Sequence, residues 1–488
     1  MQQVFFPNFA TFAVKSSSRP KEWNQIMHKG ALTRTTSFIH SMFLATNWGF
    51  GILAFVVVLS ATTASAQDWI KTGTGLGVEK IRIAVPEFKA SSQDPRNTEL
   101  LKTFNDTLWN DLNNAGIFDM VSKSFYPLGQ IGAPGDVKFE TWSGPPPNAA
   151  MLVFGNLAAS ASNNVVVQGW LYDVKNTASP QVLGKQYTDA ATAQAARTIA
   201  HKFADEIIFR LGGGINGIAE TQIYYVSSRG GHKEIWAMDY DGANQHPVTT
   251  LGSISLSPHI SPDGSRLAFS SFTGSGWEIR MFSFDLNRLV SFPRYNGTNL
   301  SPAWSPDGSR LAFSSSRSGD PEIYITDQSG GNLHRVTSSK GPDVSPVWNR
   351  KTGTEIAWVS GRTGLPQIFT MGADGTNVQQ MTDQGYAVSP AWSPNGQFLV
   401  FSWMRHYGPG APGAEDIYIM DVAGKQWVQL THDGGRNDFP SWAPDGRHIV
   451  FQSNRSGSLQ IWSMLADGSN QKQLTSSGSN SEPDWSWK

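Results

Sequence analysis

Two periodicities divide the chain. Between residues 80 and 218 the apolar positions switch between strand-like alternation and helical spacing. KIRIAVPEF (80–88) alternates Ile81, Ile83 and Val85, the pattern of a half-buried strand. Leu101, Phe104, Leu108 and Leu112 then recur at spacings of three and four, which predicts an amphipathic helix. Thr98 is its expected N-cap, Glu99 lies in its first turn and Gly116 is its stop. MLVFGNL (151–157) and VVVQGWLYDV (165–174) predict strands, and SGPPPNAA (143–150) a loop. A second helix runs through Ala196, Ile199, Phe203, Ile207 and Leu211, closed by Gly212, Gly213 and Gly214. Together these predict a small α/β domain over 80–218.

From residue 219 the helical spacing vanishes and self-similarity replaces it. SPDGSRLAFSS stands at 261–271 and again, letter for letter, at 305–315. The prolines that lead the repeated element, Pro258, Pro302, Pro346, Pro390 and Pro440, are 44, 44, 44 and 50 residues apart. The insert HYGPGAPGAE (406–415) lengthens the last interval. Each turn is followed by a strand (LAFSS, LAFSS, IAWVS, LVFSW, IVFQS), then by another such as EIYITD (322–327). Most units finish on a threonine: Thr249, Thr337, Thr382, Thr431 and Thr475. Four short strands per repeat of this length make a β-propeller blade. In Ser-Pro-Asp-Gly the proline presets φ, aspartate tolerates the next turn position, and glycine takes the one that favours φ > 0. The chain stops at EPDWSWK, where Pro483 and Trp485 repeat the Pro-x-Trp start. The first unit, TQIYYVSSRGGHKEIW (221–236), lacks that start. The last strand is therefore expected to complete the first blade and leave no open edge. The fold class is mainly β: a six-bladed propeller over 219–488, preceded by the α/β domain.

Composition agrees. Gly (48), Trp (18) and Phe (27) are plentiful and charged residues make up only 16% of the chain, which favours a turn-rich β protein. There is no cysteine, so disulfides, zinc–thiolate sites, iron–sulfur clusters and cysteine nucleophiles are excluded. Residues 1–66 carry Lys15, Arg19, Lys21, Lys29 and Arg34 against the single acid Glu22. Their apolar run WGFGILAFVVVL (48–59) would rise only ~18 Å as a helix, short of a ~30 Å hydrocarbon core. Ala64-Ser65-Ala66 then supplies a small-x-small site before Gln67. This is the pattern of a secretory signal peptide cleaved after Ala66, with Met1, Met27 and Met42 as candidate starts. Gln67 is not the cysteine that lipid anchoring needs, and no transmembrane segment is expected in the mature protein. The remainder holds 33 basic against 38 acidic residues, a balance unsuited to nucleic acid.

Catalytic signatures are missing: no G-x-S-x-G, H-E-x-x-H or phosphate-binding G-x-x-x-x-G-K-[ST] occurs. The ten histidines are scattered; His201 falls on the second helix, His259 in a strand, and His246 and His334 before terminal strands. They read as surface or satisfied core residues. DYDGAN (239–244) resembles the start of a calcium loop but lacks the twelfth-position acid, and QSGGN, ADGTN and ADGSN hold the same repeat position. It reads as a β-turn. Trp304, Trp348, Trp392, Trp442 and Trp485 could form a sugar-stacking ladder, but their fixed repeat position favours blade packing. No catalytic residue, metal or cofactor is expected.

An export segment, a small α/β domain and six P-x-W-S-P-D-G-x-x-L-A-F-x-S units resemble the TolB family of Tol–Pal systems. TIAHKFADEIIFRLGGGINGIAETQIYYVS (198–227) and SFPRYNG (291–297) carry the likeness most specifically. The resemblance implies a periplasmic scaffold, not an enzyme. It implies binding of the peptidoglycan-associated lipoprotein (Pal) at one propeller mouth and of TolA through a flexible mature N-terminus (67–79). Such a scaffold supports outer-membrane integrity and envelope constriction at division. Carried onto this chain, the lipoprotein contact falls on Pro293, Arg294, Tyr295, Asn296 and Gly297 with Ser301. Relatives often have histidine where Tyr295 stands, and Thr298, Asn299 and Leu300 look like an insertion before Ser301. The TolA segment falls on Gln67, Asp68, Trp69, Ile70, Lys71, Thr72 and Gly73, a loose match to the family. Propellers attached to serine peptidases share the blade motif, so an accessory or ligand-binding module of that kind is the alternative. With the chain ending inside the propeller, no hydrolase domain is expected.

Overall fold

A computed structural model describes residues 68–405, 415–432 and 434–487. The export segment 1–66, Gln67, and the 406–415 insert except Glu415 lie outside the described residues. No helix among the described residues is long and apolar enough to cross a membrane.

A short helix, α1 (Asp68–Thr74), precedes the first domain. The strands β1 (Ile81–Ala84), β2 (Lys89–Ala90), β3 (Phe118–Met120), β4 (Met151–Ala159), β5 (Asn164–Asp173) and β6 (Gln181–Ala190) form one sheet. Its order is β3-β1-β4-β5-β6, with β2 beside β4. The pairs of β1 with β3 and β4 are parallel, and the β4-β5-β6 meander is antiparallel. The long helices α2 (Asn97–Asn114) and α3 (Ala193–Leu211) follow the predicted spacing. Leu100, rather than the expected Leu101, joins Phe104, Leu108 and Leu112 against Ile199, Phe203 and Ile207 over Ile83, Val153 and Val167; Leu101 is half-buried at the edge. Helix α2 begins one residue before the expected cap Thr98. Asn97 sets the start instead: its amide donates to the Ser92 carbonyl (2.9 Å) and its Oδ1 accepts the Ala159 N–H (2.8 Å), tying the helix to the sheet. Thr192 caps α3 by accepting the Ala195 N–H, and Gly212 ends it.

The propeller is six four-stranded antiparallel sheets. Blade 1 takes Gln222–Ser227, Glu234–Asp239 and His246–Pro247; blades 2 to 6 begin at Ser255, Asn299, Asp343, Tyr386 and Asn437. The doubled SPDGSR motif is a turn. Ser261 donates to Asp263 (2.5 Å) and accepts the Arg266 N–H (2.9 Å), and Ser305, Asp307 and Arg310 repeat both bonds. Leu267 and Phe269, with their copies Leu311 and Phe313, are fully buried. The terminal threonines close the blades. Thr249, Thr337 and Thr431 donate to Glu234, Glu322 and Asp416 at 2.5, 2.6 and 2.7 Å. Each hydroxyl also accepts a backbone N–H, from Ile235, Ile323 and Ile417. The clasp satisfies polar groups that the short outer strands leave unpaired.

Closure is as the repeat predicts. Asn480–Trp485 pairs antiparallel with Gln222–Ser227, Trp485 opposite Ile223. Ser486 accepts the Gln222 N–H (2.9 Å), and the Trp485 indole N–H donates to Thr221 (2.8 Å). Trp485 is 1% exposed, so Trp485→Ala removes a large core side chain and a buried bond at the seam. Its expected cost is about 3–5 kcal/mol in urea unfolding, the range for deleting a buried aromatic.

Candidate functional site: the channel and its flanking segments

Each innermost strand bulges at the residue before its proline. Ser257, Ser301, Ser345, Ser389, Phe439 and Glu482 have φ of 50, 53, 53, 52, 51 and 51°. A non-glycine residue at positive φ is uncommon, and a following proline restricts it further. Six copies make it a built feature of the fold. The bulges line a central channel of about 130 Å³ with six prolines. Two of the six positions depart from serine. Glu482 accepts the N–H and hydroxyl of Ser257 at 2.7 and 3.1 Å, and burial pushes its pKa up. Next to it Asp484 accepts the Ile260 N–H at 3.0 Å.

At the end of the channel that carries the SPDG turns, the fourth repeat reads NRKTG and puts Arg350 where its neighbours have proline. Arg350 donates to the Trp442 carbonyl (3.2 Å) and lies 4.4 Å from the Trp487 ring centroid, forming a floor. Burial lowers its pKa, offset in part by Asp484. His259 accepts the Trp304 N–H at 3.4 Å, and burial lowers its pKa too. Among the described residues no three His, Asp or Glu side chains are grouped to hold a metal ion. The channel is a blind recess with carboxylates on its wall and a guanidinium at its base.

Pro293–Gly297 forms a strap climbing the groove between blades 2 and 3. Pro293 packs on Gly330, where any side chain would collide with its ring. The Tyr295 ring stacks on Phe313 at 5.3 Å, and its hydroxyl donates to the Gly330 carbonyl (2.5 Å). Tyr295 is thus half-buried packing. Pro293 stands at the repeat position of the clasp threonine, and the next residue, Arg294, supplies the partner instead: it pairs with Glu278 at 2.7 Å and also bonds Ser275. Its side chain is 58% exposed against 17% for Glu278. Asn296 and Gly297 are exposed, whereas Ser301 is half-buried on the channel wall. Gly297, at φ +79°, sits too close to the backbone of Ser316 and Arg317 to admit a side chain. Asn299 and Leu300 belong to the inner strand of blade 3. Asn299 opens the inner strand opposite Ser315, as Asn437 does opposite Ser453, and its amide holds the strap by the Tyr295 and Gly297 carbonyls. The sequence reading missed Glu278, although it occupies the repeat position of Glu234 and Glu322.

The segment expected to be free is seated on the propeller. Ile70 is fully buried among Phe398, Val400, Trp442 and Ile449. The Trp69 ring lies 5.5 Å from Phe398, Asn395 donates to the Gly73 carbonyl (3.1 Å), and the Lys71 carbonyl accepts the Gly77 N–H (3.0 Å). A side chain at Gly73 would strike the Phe398 ring. Thr72 lies on the same helix. Two apolar neighbours in seven residues give no periodic signal, so this seat was invisible in the sequence. Helix α1 rests at the turn end of blade 5, whereas the Gly297 end of the strap lies by the hairpin at the opposite end of blade 3.

A six-bladed propeller with a channel of Xaa-Pro bulges, joined to an α/β domain and an N-terminal helix, defines a class of two-domain propeller proteins. A family model for the TolB beta propeller domain matches residues 210–408 and 383–488, and one for the TolB amino-terminal domain matches 74–179. The chain belongs to the TolB family. It is 31% identical over 248 residues to the Tol-Pal system protein TolB of Cereibacter sphaeroides (49% of this chain, 53% of the relative). It is 32% identical over 247 residues to that of Desulfosudis oleivorans (50% of this chain, 54% of the relative). The chain thus spans about half the length of the curated relatives it matches. The crystal structure of TolB from Acinetobacter baumannii superposes with a TM-score of 0.69 at 23% identity, covering 84% of this chain and 97% of that one, which shows a shared fold.

Two variants separate the roles above. Ile70→Ser should free α1, so that trypsin cuts after Lys71 about tenfold faster, a local opening that leaves the propeller's melting temperature unchanged. Tyr295→Phe should lower stability by about 1 kcal/mol in urea titration, through the lost bond to Gly330.

Proposed function

We propose that the chain is a periplasmic scaffold of a Tol–Pal system that works by binding, not by catalysis. In this reading the peptidoglycan-associated lipoprotein docks on Pro293, Arg294, Tyr295, Asn296 and Gly297 with Ser301. TolA takes the segment Gln67 to Gly73, and the two contacts join the envelope layers during division. The observation that carries the reading is Arg294. Where other blades bury a threonine, this blade exposes a guanidinium already oriented by a carboxylate. Arginine is enriched among residues that dominate interfaces, and an oriented one loses less freedom on binding. Tyr295 contributes from beneath, by holding the strap in shape.

The second contact requires α1 to leave its seat. A seven-residue helix is too short to persist alone, so its order depends on what covers Trp69 and Ile70. A partner that buries the same two side chains competes directly with Phe398.

The test is recovery of purified peptidoglycan-associated lipoprotein and of TolA by the immobilised chain. Arg294→Ala should weaken lipoprotein recovery at least tenfold, about 1.4 kcal/mol, with the melting temperature unmoved. Deletion of 67–79 should abolish TolA recovery alone. An intact chain that recovers no lipoprotein refutes the reading.

A further inference from the structure

The α/β domain and the propeller meet at a polar joint built around one turn. In blade 6 the SPDG-type turn reads Ala443-Pro444-Asp445-Gly446-Arg447-His448. Its two cations each reach the C-terminal end of a long helix. His448 Nε2 lies 2.8 Å from the carbonyl of Asn114, the last residue of α2. Arg447 donates to the carbonyl of Gly212, the cap of α3, at 3.1 Å. Helix C-termini carry unpaired carbonyls and a partial negative charge, so a cation there is favourable. On its other side His448 Nδ1 lies 2.7 Å from the Asp445 carboxylate. Both ring nitrogens therefore face oxygen acceptors, an arrangement only the imidazolium satisfies.

We propose that this joint is a proton-dependent latch: protonated His448, bridging Asp445 to the Asn114 carbonyl, holds the α/β domain on the propeller in mild acid and slackens as the pH rises. When the proton leaves for solvent, the neutral ring keeps one N–H. Whichever nitrogen loses it then points a lone pair at an oxygen. One of the two bonds is lost, and the helix end loses its positive partner.

The groups around His448 come from every element of the joint. Helix α2 presents Asp111, which accepts from Tyr240 (2.6 Å) and lies 2.7 Å from His201 of α3. From α3, Arg197 reaches Asp241 (2.8 Å) and Asp239 (3.4 Å) of blade 1. Also on α3, Asp205 accepts the N–H groups of Ala219 and Glu220 in the connection between domains, at 3.0 and 3.3 Å. Blade 6 adds Lys472 beside the same gap.

Burial opposes the charge on His448, but Asp445 and the Asn114 carbonyl outweigh it and raise the pKa above 6.5. Burial pushes Asp205 up to about 7. Both hold the proton more tightly docked than released, so their support is full in acid and declines as the pH climbs through these raised values. The lowered carboxylates Asp241 and Asp445 act in the opposite sense, but only as the pH falls toward 3.8 and below.

Hydrogen exchange on the full chain tests the latch. After correction for intrinsic base catalysis, protection of joint amides (113–118 and 210–220) should fall about tenfold between pH 6 and 8.5. Amides of the central strand Phe398–Phe401 should not change. His448→Gln, which keeps a neutral N–H donor, should remove most of this pH dependence, and adding Asp205→Asn should remove the rest. Equal protection at both pH values in the unmodified chain overturns the proposal, as does undiminished pH dependence in the double variant. The His448 ring titration, followed by NMR in the unmodified chain, is independent of whether the variants fold. A midpoint above 6.5 that tracks the exchange supports the latch; one at or below 6.5 overturns it.

Discussion

Five blades are assembled from neighbouring strands, but the sixth sheet exists only because residues 480–485 return to pair with residues 222–227. Much of what distinguishes the molecule rests on that seam. The closing strand brings Glu482 and Asp484 to the channel wall, where they accept bonds from Ser257 and Ile260 of the next inner strand. It also carries Trp485, whose ring lies 6.3 Å from His448 at the joint with the α/β domain. Without closure the channel would lack one wall and the joint its inner support. Loop-closure cost rises only slowly with loop length, so joining strands more than 250 residues apart is thermodynamically accessible once the blades between them are formed.

Most turn and outer-edge polar groups are satisfied within their own blade, although the buried indole N–H groups of Trp304, Trp392 and Trp442 have no partner among the described residues. Serine and aspartate complete the turn, threonine and an acid complete the outer edge, and the apolar faces stack against the next sheet. Local satisfaction lets single positions change without unfolding the ring, because a replaced clasp leaves neighbouring blades intact. Arg294 with Glu278 is one such replacement, and Arg350 for a turn proline is another. One puts a charge at the rim and the other puts one across the channel. Buried polar groups are costly only when unpaired, and both substitutions keep a partner.

This division explains what the sequence made legible. Regular spacing exposed the repeats, the closing strand and the blade count, since turn residues and strand alternation are local signals. The two helices of the first domain were legible for the same reason, down to a two-residue difference in the first cap, Arg96 for Thr98. The joint was not. Asp111, His201, Tyr240 and His448 come from four distant stretches, and each alone reads as an ordinary surface or core residue. The seat of α1 was hidden too, because Trp69 and Ile70 are too few to show a period. At the strap the motif was visible but the roles were not. Tyr295 packs half-buried beneath the strap, whereas Arg294 gained meaning only once Glu278 showed that it supplies the clasp partner that Pro293, at the threonine's position, cannot.

The placement of these features constrains how they can influence one another. Helix α1 sits at the turn ends of the blades, as do Arg350 and the His448 joint. The exposed end of the strap lies at their hairpin ends, one strand length away. The sheets between them are hydrogen-bonded throughout and their cores are close-packed, so small displacements are not absorbed locally. The inner strands that line the channel connect the two mouths. Those inner strands carry the bulges, the one place where regular pairing is interrupted in every blade. The irregular pairing thus lies along the propeller's axis, where Glu482 stands for the repeat's serine, Asp484 follows it on the same strand, and Arg350 stands for a turn proline.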